Sequence, residues 1–277
     1  MKSNSQPIKL FVVLAFSCTS LLVSLTPVLA KPTLSSSLSD AYGGLRLRSD
    51  AKTILAQATT FNLPPLPPGP PPGGRVRGGA KRGEPICPLT KPKLTALVPF
   101  TESDEVINVW GQTTLERPSW FFYVPYTKNS PYEVEFVLQD QDSNEISRPP
   151  IALPDKPGVI RVSLPSTAPA LALNKQYRWF FTINCNKQTI SPPTFVEGVI
   201  VRVELNPTVV KKLQTPELLK RYAIYAENGI WYDALTILAQ LRQKNPKDAT
   251  LQAEWRHLLD QIHLDDIAAE PILLEQP

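Results

Sequence analysis

The stretch SWFFYVPYTKNSPYEVEFVLQD, residues 119–140, decides how the rest of the chain is interpreted. Two strand-like runs, Trp120–Tyr126 and Tyr132–Leu138, flank the polar turn Lys128–Pro131, and this pattern predicts a β-hairpin. In the second run apolar residues alternate with glutamates, which is typical of a strand with one buried face. The first run is aromatic on both faces. Either both faces are covered, or one of them is a binding platform.

Further strand signals continue on both sides of this stretch and are separated by turn residues. Short strands with regular turns predict an antiparallel β-sandwich over residues 85–206, within an α+β chain that is mainly β. The predicted strands are Leu94–Val98, Val106–Trp110, Trp120–Tyr126, Tyr132–Leu138, Val159–Leu164, Tyr177–Cys185 and Val196–Leu205. In the sixth of these, Phe180 interrupts an otherwise polar face.

The N-terminus has the pattern of a secretory signal peptide. Lys2 and Lys9 precede the apolar run Leu10–Leu25, and Val28–Ala30 supplies small-residue cleavage context. Residues 1–30 are therefore predicted to be removed on export, to the periplasm, the cell surface or the medium. About 247 of the 277 residues remain, with a net charge of +2 instead of +4, because both lysines leave. That small charge argues against nucleic acid as a partner.

Residues 31–84 are predicted to form a disordered linker. Proline is frequent from Pro64 to Pro72, which favours extended polyproline II structure. The glycine-rich segment Gly73–Gly83 is basic, so docking on an anionic surface or a polysaccharide is one possible role beside that of a plain spacer.

Two cysteines, Cys87 and Cys185, remain once Cys18 leaves with the signal peptide. An even pair in an exported protein predicts one disulfide, which would staple the N-terminal arm to the sheet. Two buried thiols are the alternative.

Residues 207–277 are predicted to be helical and similar to one tetratricopeptide repeat. The sequence predicts helices that start at Thr215–Glu217, cover Trp231–Gln243, and open again at Asp248 or Thr250. The positions that carry the repeat pattern are Tyr225, Gly229, Trp231, Ala234, Leu238 and Pro246. One repeat cannot bury its own apolar face. We therefore expect the helices to pack on the β-domain, with Phe121 or Tyr123 in the contact.

A set of short motifs is spread from residue 87 to residue 198: Cys87-Pro88, Leu94–Pro99, Trp120–Tyr126, Phe136–Asp140, Leu153-Pro154 with Pro157-Gly158, Leu164-Pro165, Trp179 with Cys185, and Val196–Gly198. Together these motifs resemble a family of exported cyanobacterial proteins known as a domain of unknown function. The resemblance implies export and a shared fold, and it implies no reaction.

No motif for catalysis, phosphate binding or metal binding is found in the sequence, so neither a cofactor nor an enzymatic activity is expected. The leading hypothesis is a non-enzymatic interaction or assembly module of the cell envelope with a protein partner. The alternative is a carbohydrate-binding module, because flat aromatic rings can stack on sugars. The candidate rings for ligand contact or packing are Trp110, Trp120, Phe121, Tyr123 and Tyr126.

The signal-peptide pattern makes a direct prediction. Protein recovered from the envelope or the medium should begin at Lys31, because cleavage is expected after Ala30. N-terminal sequencing of that protein checks it, and a retained Met1 would contradict it.

Overall fold

The computed structural model describes residues 58–79, 87–103, 106–185 and 193–273. Within these residues ten strands precede four helices and a 3-10 turn. The strands are β1 Arg75–Gly79, β2 Thr95–Ala96, β3 Phe100–Ser103, β4 Val106–Thr113, β5 Ser119–Val124, β6 Glu133–Gln139, β7 Glu145–Ser147, β8 Gly158–Ser163, β9 Gln176–Asn184 and β10 Thr194–Arg202. The helices are α1 Pro207–Lys212, α2 Leu218–Glu227, α3 Trp231–Lys244 and α4 Ala249–Asp260, and the 3-10 turn is Asp265–Ile267.

The strands form one mainly antiparallel sheet that curls into a half-barrel. Its order is β7-β6-β9-β10-β1-β2-β5-β8, and β4 pairs with β10 in parallel and with β3 in antiparallel orientation. Because β1 pairs with both β10 and β2, it joins two halves that would otherwise be separate sheets. The predicted sandwich is therefore not confirmed, although the two halves do face each other across an aromatic interior.

The predicted hairpin between Trp120–Tyr126 and Tyr132–Leu138 is wrong. Strand β5 pairs with β2 and β8, whereas β6 pairs with β7 and β9. The two strands lie in opposite halves of the sheet and meet through side chains, with ring centroids of Trp120 and Phe136 4.9 Å apart. Side-chain packing between the two halves of the sheet replaces the hydrogen-bonded pairing of neighbouring strands that the short connection indicated.

All seven predicted strands are present, with ends that differ by a few residues. Strands β1, β3 and β7 were not predicted. These three are short, with three to five residues each, and contribute few buried side chains. A strand of that kind carries little of the apolar alternation on which the prediction depends.

The helices lie close to their predicted positions. Helix α3 begins at Trp231 as expected, and Asp248 caps α4 by accepting hydrogen bonds from the backbone N–H groups of Thr250 and Leu251. Helix α2 begins at Leu218, slightly later than the predicted start at Thr215–Glu217. Helix α1 was not predicted. It is one and a half turns long and buries no residue.

Three consecutive residues at the start of α3, which we call the helix anchor, join the helices to the sheet: Trp231, Tyr232 and Asp233. The fully buried Trp231 donates its indole N–H to the Leu97 carbonyl at 2.8 Å. The Tyr232 hydroxyl accepts a hydrogen bond from the Trp179 indole N–H at 3.0 Å, and its ring lies edge-on to Trp120 at 6.1 Å. Since Trp179 belongs to β9 and Trp120 to β5, Tyr232 contacts both halves of the curled sheet.

Gly111 in β4 permits this approach. A Cβ at this position would lie 3.0 Å from the Tyr232 ring and 3.4 Å from the Trp231 Cβ. The first turn of α3 therefore packs directly on the backbone of β4. The expected packing of the helices on the sheet is confirmed, and both lie in one compact unit, Ser49–Pro277. The rings that Tyr232 contacts are Trp120 and Trp179, instead of the expected Phe121 or Tyr123.

The prediction of a disordered linker over residues 31–84 is wrong for residues 58–74, which we call the strap. Its Phe61 ring packs edge-on against Trp231 with centroids 4.9 Å apart. The Asn62 backbone N–H donates to the Ala226 carbonyl, and its side-chain amide donates to the Glu227 carbonyl. Gln261 on the other side accepts from the Phe61 N–H and donates to the Thr59 carbonyl. The remaining residues of the predicted linker outside β1 and the strap, 31–57 and 80–84, lie outside the described residues.

Beyond these contacts the strap crosses the sheet. Gln176 and Arg178 of β9 donate to the carbonyls of Pro68 and Pro72, at 2.9 and 2.6 Å. The Gly73 N–H then donates to the Asn108 side chain, and the Gly73 carbonyl accepts from the Val109 N–H. The proline-rich run is extended, as its composition indicates, but other parts of the chain supply the donors that hold it in place.

The basic residues of the predicted linker that the structure describes are engaged within the molecule. In β1, the Arg77 guanidinium forms a bidentate ion pair with the Asp266 carboxylate, at 2.7 and 2.8 Å. The Arg75 guanidinium lies over the Phe195 ring, 4.8 Å from its centroid. These two arginines contribute to holding β1 in the sheet. This use competes with the predicted docking on an anionic surface.

The predicted disulfide between Cys87 and Cys185 is confirmed, with Cα atoms 5.2 Å apart. Cys185 directly follows β9, and Cys87 lies in the arm that leads to β2. The bridge therefore ties this arm to the end of β9. In the chain-entropy description, closing a loop of this length removes about 4–5 kcal/mol of unfolded-state freedom.

Among the described residues, no helix combines the length and the apolar character needed to cross a membrane.

The helix anchor predicts that sheet and helices unfold together. Replacing Trp231 by Ala should lower the free energy of unfolding by about 3–5 kcal/mol, because it empties a large aromatic site and leaves the Leu97 carbonyl unpaired. Chemical denaturation followed by far-UV circular dichroism and by tryptophan fluorescence should give coincident transitions. The control Leu218→Ala removes a partly exposed side chain of the same helical unit and should cost far less. A variant whose helices melt separately while the sheet keeps its wild-type stability would contradict the expectation.

Candidate functional site

The five aromatic residues proposed from the sequence as ligand or packing residues are all buried. Their exposed fractions lie between 0 and 8 %, so none offers a ring face to a ligand in this structure. They are Trp110, Trp120, Phe121, Tyr123 and Tyr126. The inner rings of β5 pack against Phe136 and Trp179, and the Tyr126 hydroxyl donates to the Pro88 carbonyl. Burial raises the pKa of the Tyr126 hydroxyl above its ordinary value.

The positions of the predicted helical repeat lie in the hairpin formed by α2 and α3. Gly229 makes the turn with φ of +75°, a conformation that favours glycine. A Cβ there would also collide with the Asn62 carbonyl and the Pro64 ring of the strap. The buried members of the set are Tyr225, Trp231, Ala234 and Leu238, whereas Pro246 is exposed after the end of α3.

The strap fills the surface of this helical unit that would otherwise be free for a partner. Phe61 and Asn62 contact α2, α3 and the residue after α4, and they do so largely through backbone groups. This is how an extended peptide binds to a helical groove. The strap thus occupies the helical unit as a bound peptide would. A partner of the helical unit must bind another surface of it or displace the strap.

Asp233 is a buried carboxylate that the sequence analysis did not single out. It accepts hydrogen bonds from the Thr113 hydroxyl at 2.6 Å, from the Thr114 backbone N–H at 3.2 Å and from the Thr114 hydroxyl. It stands in the first turn of α3, where the helix dipole favours a negative charge. Its exposed fraction is 3 %. Solvent therefore reaches it poorly, and its contacts bind the end of β4 to the helix.

Burial raises the pKa of the Asp233 carboxyl above its ordinary value of 3.8, and the hydrogen bonds from Thr113 and Thr114 oppose this shift. The folded state therefore binds a proton at this residue more readily than the unfolded chain does. By linkage, its contribution to stability is full below about pH 3.8 and is lost as the pH rises through the folded-state pKa.

Other acidic and histidine residues in the described part of the chain do not cluster as metal ligands. No group of three or more histidine, cysteine or acidic side chains comes close enough there to hold a metal ion. The Asp140 carboxylate, in the turn after β6, accepts from the backbone N–H groups of Asp142 and Asn144 and from the Asn144 side chain. Its carboxylate oxygens are thus used to form the turn, and the Asn144 side-chain amide lowers its pKa.

A different surface combines exposure with mixed chemistry: the convex side of β6, β9 and β10, which we call the outer face. The pairing register places Phe180 beside Glu197, and Phe195 beside Thr182. Both phenylalanines are partly exposed, whereas their strand neighbours Trp179 and Phe181 are buried inside. The interruption of the polar face by Phe180 was the sequence signal for this surface, but no pattern in the sequence placed Phe195 beside it.

Charged side chains surround these two rings and pair with one another. Arg75 lies over Phe195, and Arg178 lies 3.6 Å from the Glu197 carboxylate. Farther along β6, Arg148 contacts Glu135 and also binds Glu145 at 2.6 Å. The outer face is thus a surface of aromatic rings set among balanced charges.

One end of the outer face deepens into a groove of about 910 Å³. It is lined by the start of β6, the end of β9 and the segment 148–153, which bridges to β6 through Pro150 and Glu135. Tyr132, at one border of the groove, packs edge-on against the buried Tyr126 with centroids 5.3 Å apart. Among the described residues the groove is open to solvent, and both apolar and polar side chains line it.

The raised pKa of Asp233 makes a testable prediction. Relative to Asp233→Asn, which does not titrate, the wild-type free energy of unfolding should be larger near pH 3.5 than near pH 7, because the buried anion is disfavoured. Urea denaturation of both proteins across this range measures the difference. The control is Asp140→Asn, on an exposed turn: because the Asn144 amide lowers the pKa of Asp140, the wild-type advantage over this variant should instead grow as the pH rises. A wild-type advantage over Asp233→Asn that grows towards neutral pH would show that the threonine donors stabilise the anion by more than burial costs it.

Comparison with known proteins places the chain in a family. No curated protein matched the sequence. The family described as Domain of Unknown Function (DUF928) matches residues 77–272, which include β2 to β10 and all four helices. This range covers more than half of the chain and begins after the strap, which lies entirely outside it. The chain belongs to the DUF928 family.

Proposed function

We propose that this protein is a non-enzymatic binding module that is exported to the cell envelope, and that its ligand surface is the outer face. The observation that carries the proposal is the pair of partly exposed rings, Phe180 and Phe195, on a sheet face whose charges are paired within the molecule. Exposed aromatic side chains with a polar surround are typical of recognition surfaces.

The way in which the other apolar surfaces are covered supports this choice. The helices close one end of the curled sheet through the helix anchor, and the strap occupies the helical unit. The C-terminal segment covers the edge of β8, where the Val159 N–H donates to the Pro271 carbonyl and the Leu273 N–H donates to the Val159 carbonyl. The strap crosses one part of the outer face, at Gln176 and Arg178, whereas Phe180 and Phe195 stay partly exposed.

Export is supported by the disulfide. A bridge between Cys87 and Cys185 persists in oxidising compartments and is rare in reducing ones. The signal-peptide pattern lies in residues outside the described ranges, so it supports export through the sequence alone.

We also infer that the hairpin of α2 and α3 is a single tetratricopeptide-like unit and that the two sheet halves pack as a sandwich does. The turn at Gly229, the small Ala234 between the helices and the buried Leu238 support the first inference. The ring contacts of β5 with β6 and β9 support the second. In this arrangement the repeat serves to close the fold instead of binding a partner.

The test is capture of envelope components by the mature protein and by surface variants. Phe180→Ser and Phe195→Ser should each reduce capture of a specific component by about tenfold, because each removes a central apolar contact. Val210→Ser is the control, since Val210 is 48 % exposed on α1. Melting temperatures of all variants verify that they fold. Equal capture by every folded variant, or no specific capture by the wild type, would contradict the proposal.

A further inference from the structure

We propose that the groove at the end of the outer face binds a neutral glycan chain. This inference rests on the proposed function and names the ligand class for that surface. The rings of β5, which the sequence suggested as carbohydrate contacts, are buried, whereas the groove is open in the folded protein.

The floor of the groove is a flat array of polar side chains. In the pairing of β6 with β9, Glu133 lies opposite Asn184 and Glu135 lies opposite Thr182. Side chains paired in this way stand about 4.5–5.5 Å apart at their Cβ atoms and point to the same side of the sheet. The array therefore presents carboxylate, amide and hydroxyl groups at spacings that suit the hydroxyl groups of a sugar ring.

Apolar surfaces border this polar array. Tyr132 contributes an aromatic ring whose position is fixed by its contact with Tyr126. Pro149, Pro150 and Pro193 contribute pyrrolidine rings around the same groove. A sugar presents C–H groups on the faces of its ring and hydroxyls at its rim. It can thus use both kinds of surface at once, whereas a lipid chain would match only the apolar border of the groove.

The balance of charge selects a neutral ligand. The groove lining carries two cations, Lys128 and Arg148, and two anions, Glu133 and Glu135. Both cations already have partners, since Lys128 lies 2.5 Å from the Asp155 carboxylate and Arg148 contacts Glu135 and Glu145. A strongly charged ligand would have to break these pairs or remain uncompensated, so the groove has no electrostatic preference for a polyanion or a polycation.

The dimensions of the groove agree with a chain of a few sugar units. Its volume of about 910 Å³ lies near the upper end of the range of about 300–1,000 Å³ that is usual for small-molecule sites. A folded protein partner would instead bury a patch of about 800 Å² on each side. The open form of the groove allows a chain to enter along its length without a free end.

The experiment is calorimetric titration of the mature protein with two neutral probes, cellohexaose and hexa-N-acetylchitohexaose. We expect binding to at least one probe, with an affinity that changes little when sodium chloride is raised, because no ion pair forms with the ligand. Polygalacturonate serves as the acidic comparison. Salt-sensitive binding to polygalacturonate alone would overturn the inference and assign the groove to an anionic polymer.

A blocking variant locates the site. Thr182→Tyr places a bulky ring in the middle of the groove on a strand position that tolerates aromatic residues, and should weaken binding at least about tenfold. The matched control is Thr101→Tyr, the same change at a partly exposed position of β3 away from the groove. Binding that Thr182→Tyr leaves unchanged, or binding of neither neutral probe, would overturn the inference. If neither probe binds while Phe180→Ser still abolishes envelope capture, the glycan assignment fails and the proposed function stands.

Discussion

The packing of the first turn of α3 into the open end of the curled sheet is the contact on which the rest of the structure depends. A half-barrel whose interior is made of large rings cannot close its own end, and Tyr232 closes it by touching Trp120 and Trp179 on opposite halves. Trp231 and Asp233, on either side of it, bind the loop after β2 and the end of β4. The close approach requires a glycine at position 111. Sheet and helices thus complete one hydrophobic core.

The strap follows from the same constraint. Trp231 is covered by the sheet on one side, and Phe61 of the strap covers it on the other. Once the strap is in place, the helical unit has no empty groove at this position, although a helical repeat in isolation would suggest a peptide-binding role. The proposed function therefore uses the outer face, where Phe180 and Phe195 remain partly exposed. Under that proposal the helices stabilise the fold and the convex side of the sheet binds the ligand.

Local patterns in the sequence predicted much of this fold. Seven strands, the start of α3 and the disulfide could be predicted, because alternation, a repeat pattern and an even cysteine count are visible in short windows. Strand pairing could not, since β5 and β6 are neighbours in sequence but meet across the core. The strap was missed for a related reason. The composition of the strap shows that it cannot form a hydrophobic core of its own. The composition does not show that Trp231 would pack against the strap and that Arg178 would donate a hydrogen bond to it.

The candidate site was predicted only in part. The aromatic residues of β5 were chosen as candidates because they are numerous. Large aromatic rings contribute most when they are buried in a core, and these rings are buried. The one sequence feature that pointed to the outer face was Phe180, an aromatic residue on an otherwise polar strand face. It identified a surface only once the strand register showed that Phe195 and Glu197 lie next to it. Asp233 likewise carried no recognisable motif, because its partners Thr113 and Thr114 lie about 120 residues earlier in the chain.

Native-state hydrogen exchange tests the central claim, that sheet, helices and strap form one cooperative unit, most directly. The backbone N–H of Asn62, which donates to Ala226, reports on the strap, and the amides of α3 and β10 report on the helices and the sheet. The account predicts that all three exchange only through global unfolding and share one opening free energy. If the Asn62 and α3 amides exchange through an opening of clearly lower free energy while β10 stays protected, the helices and strap are a separable layer and the account is contradicted.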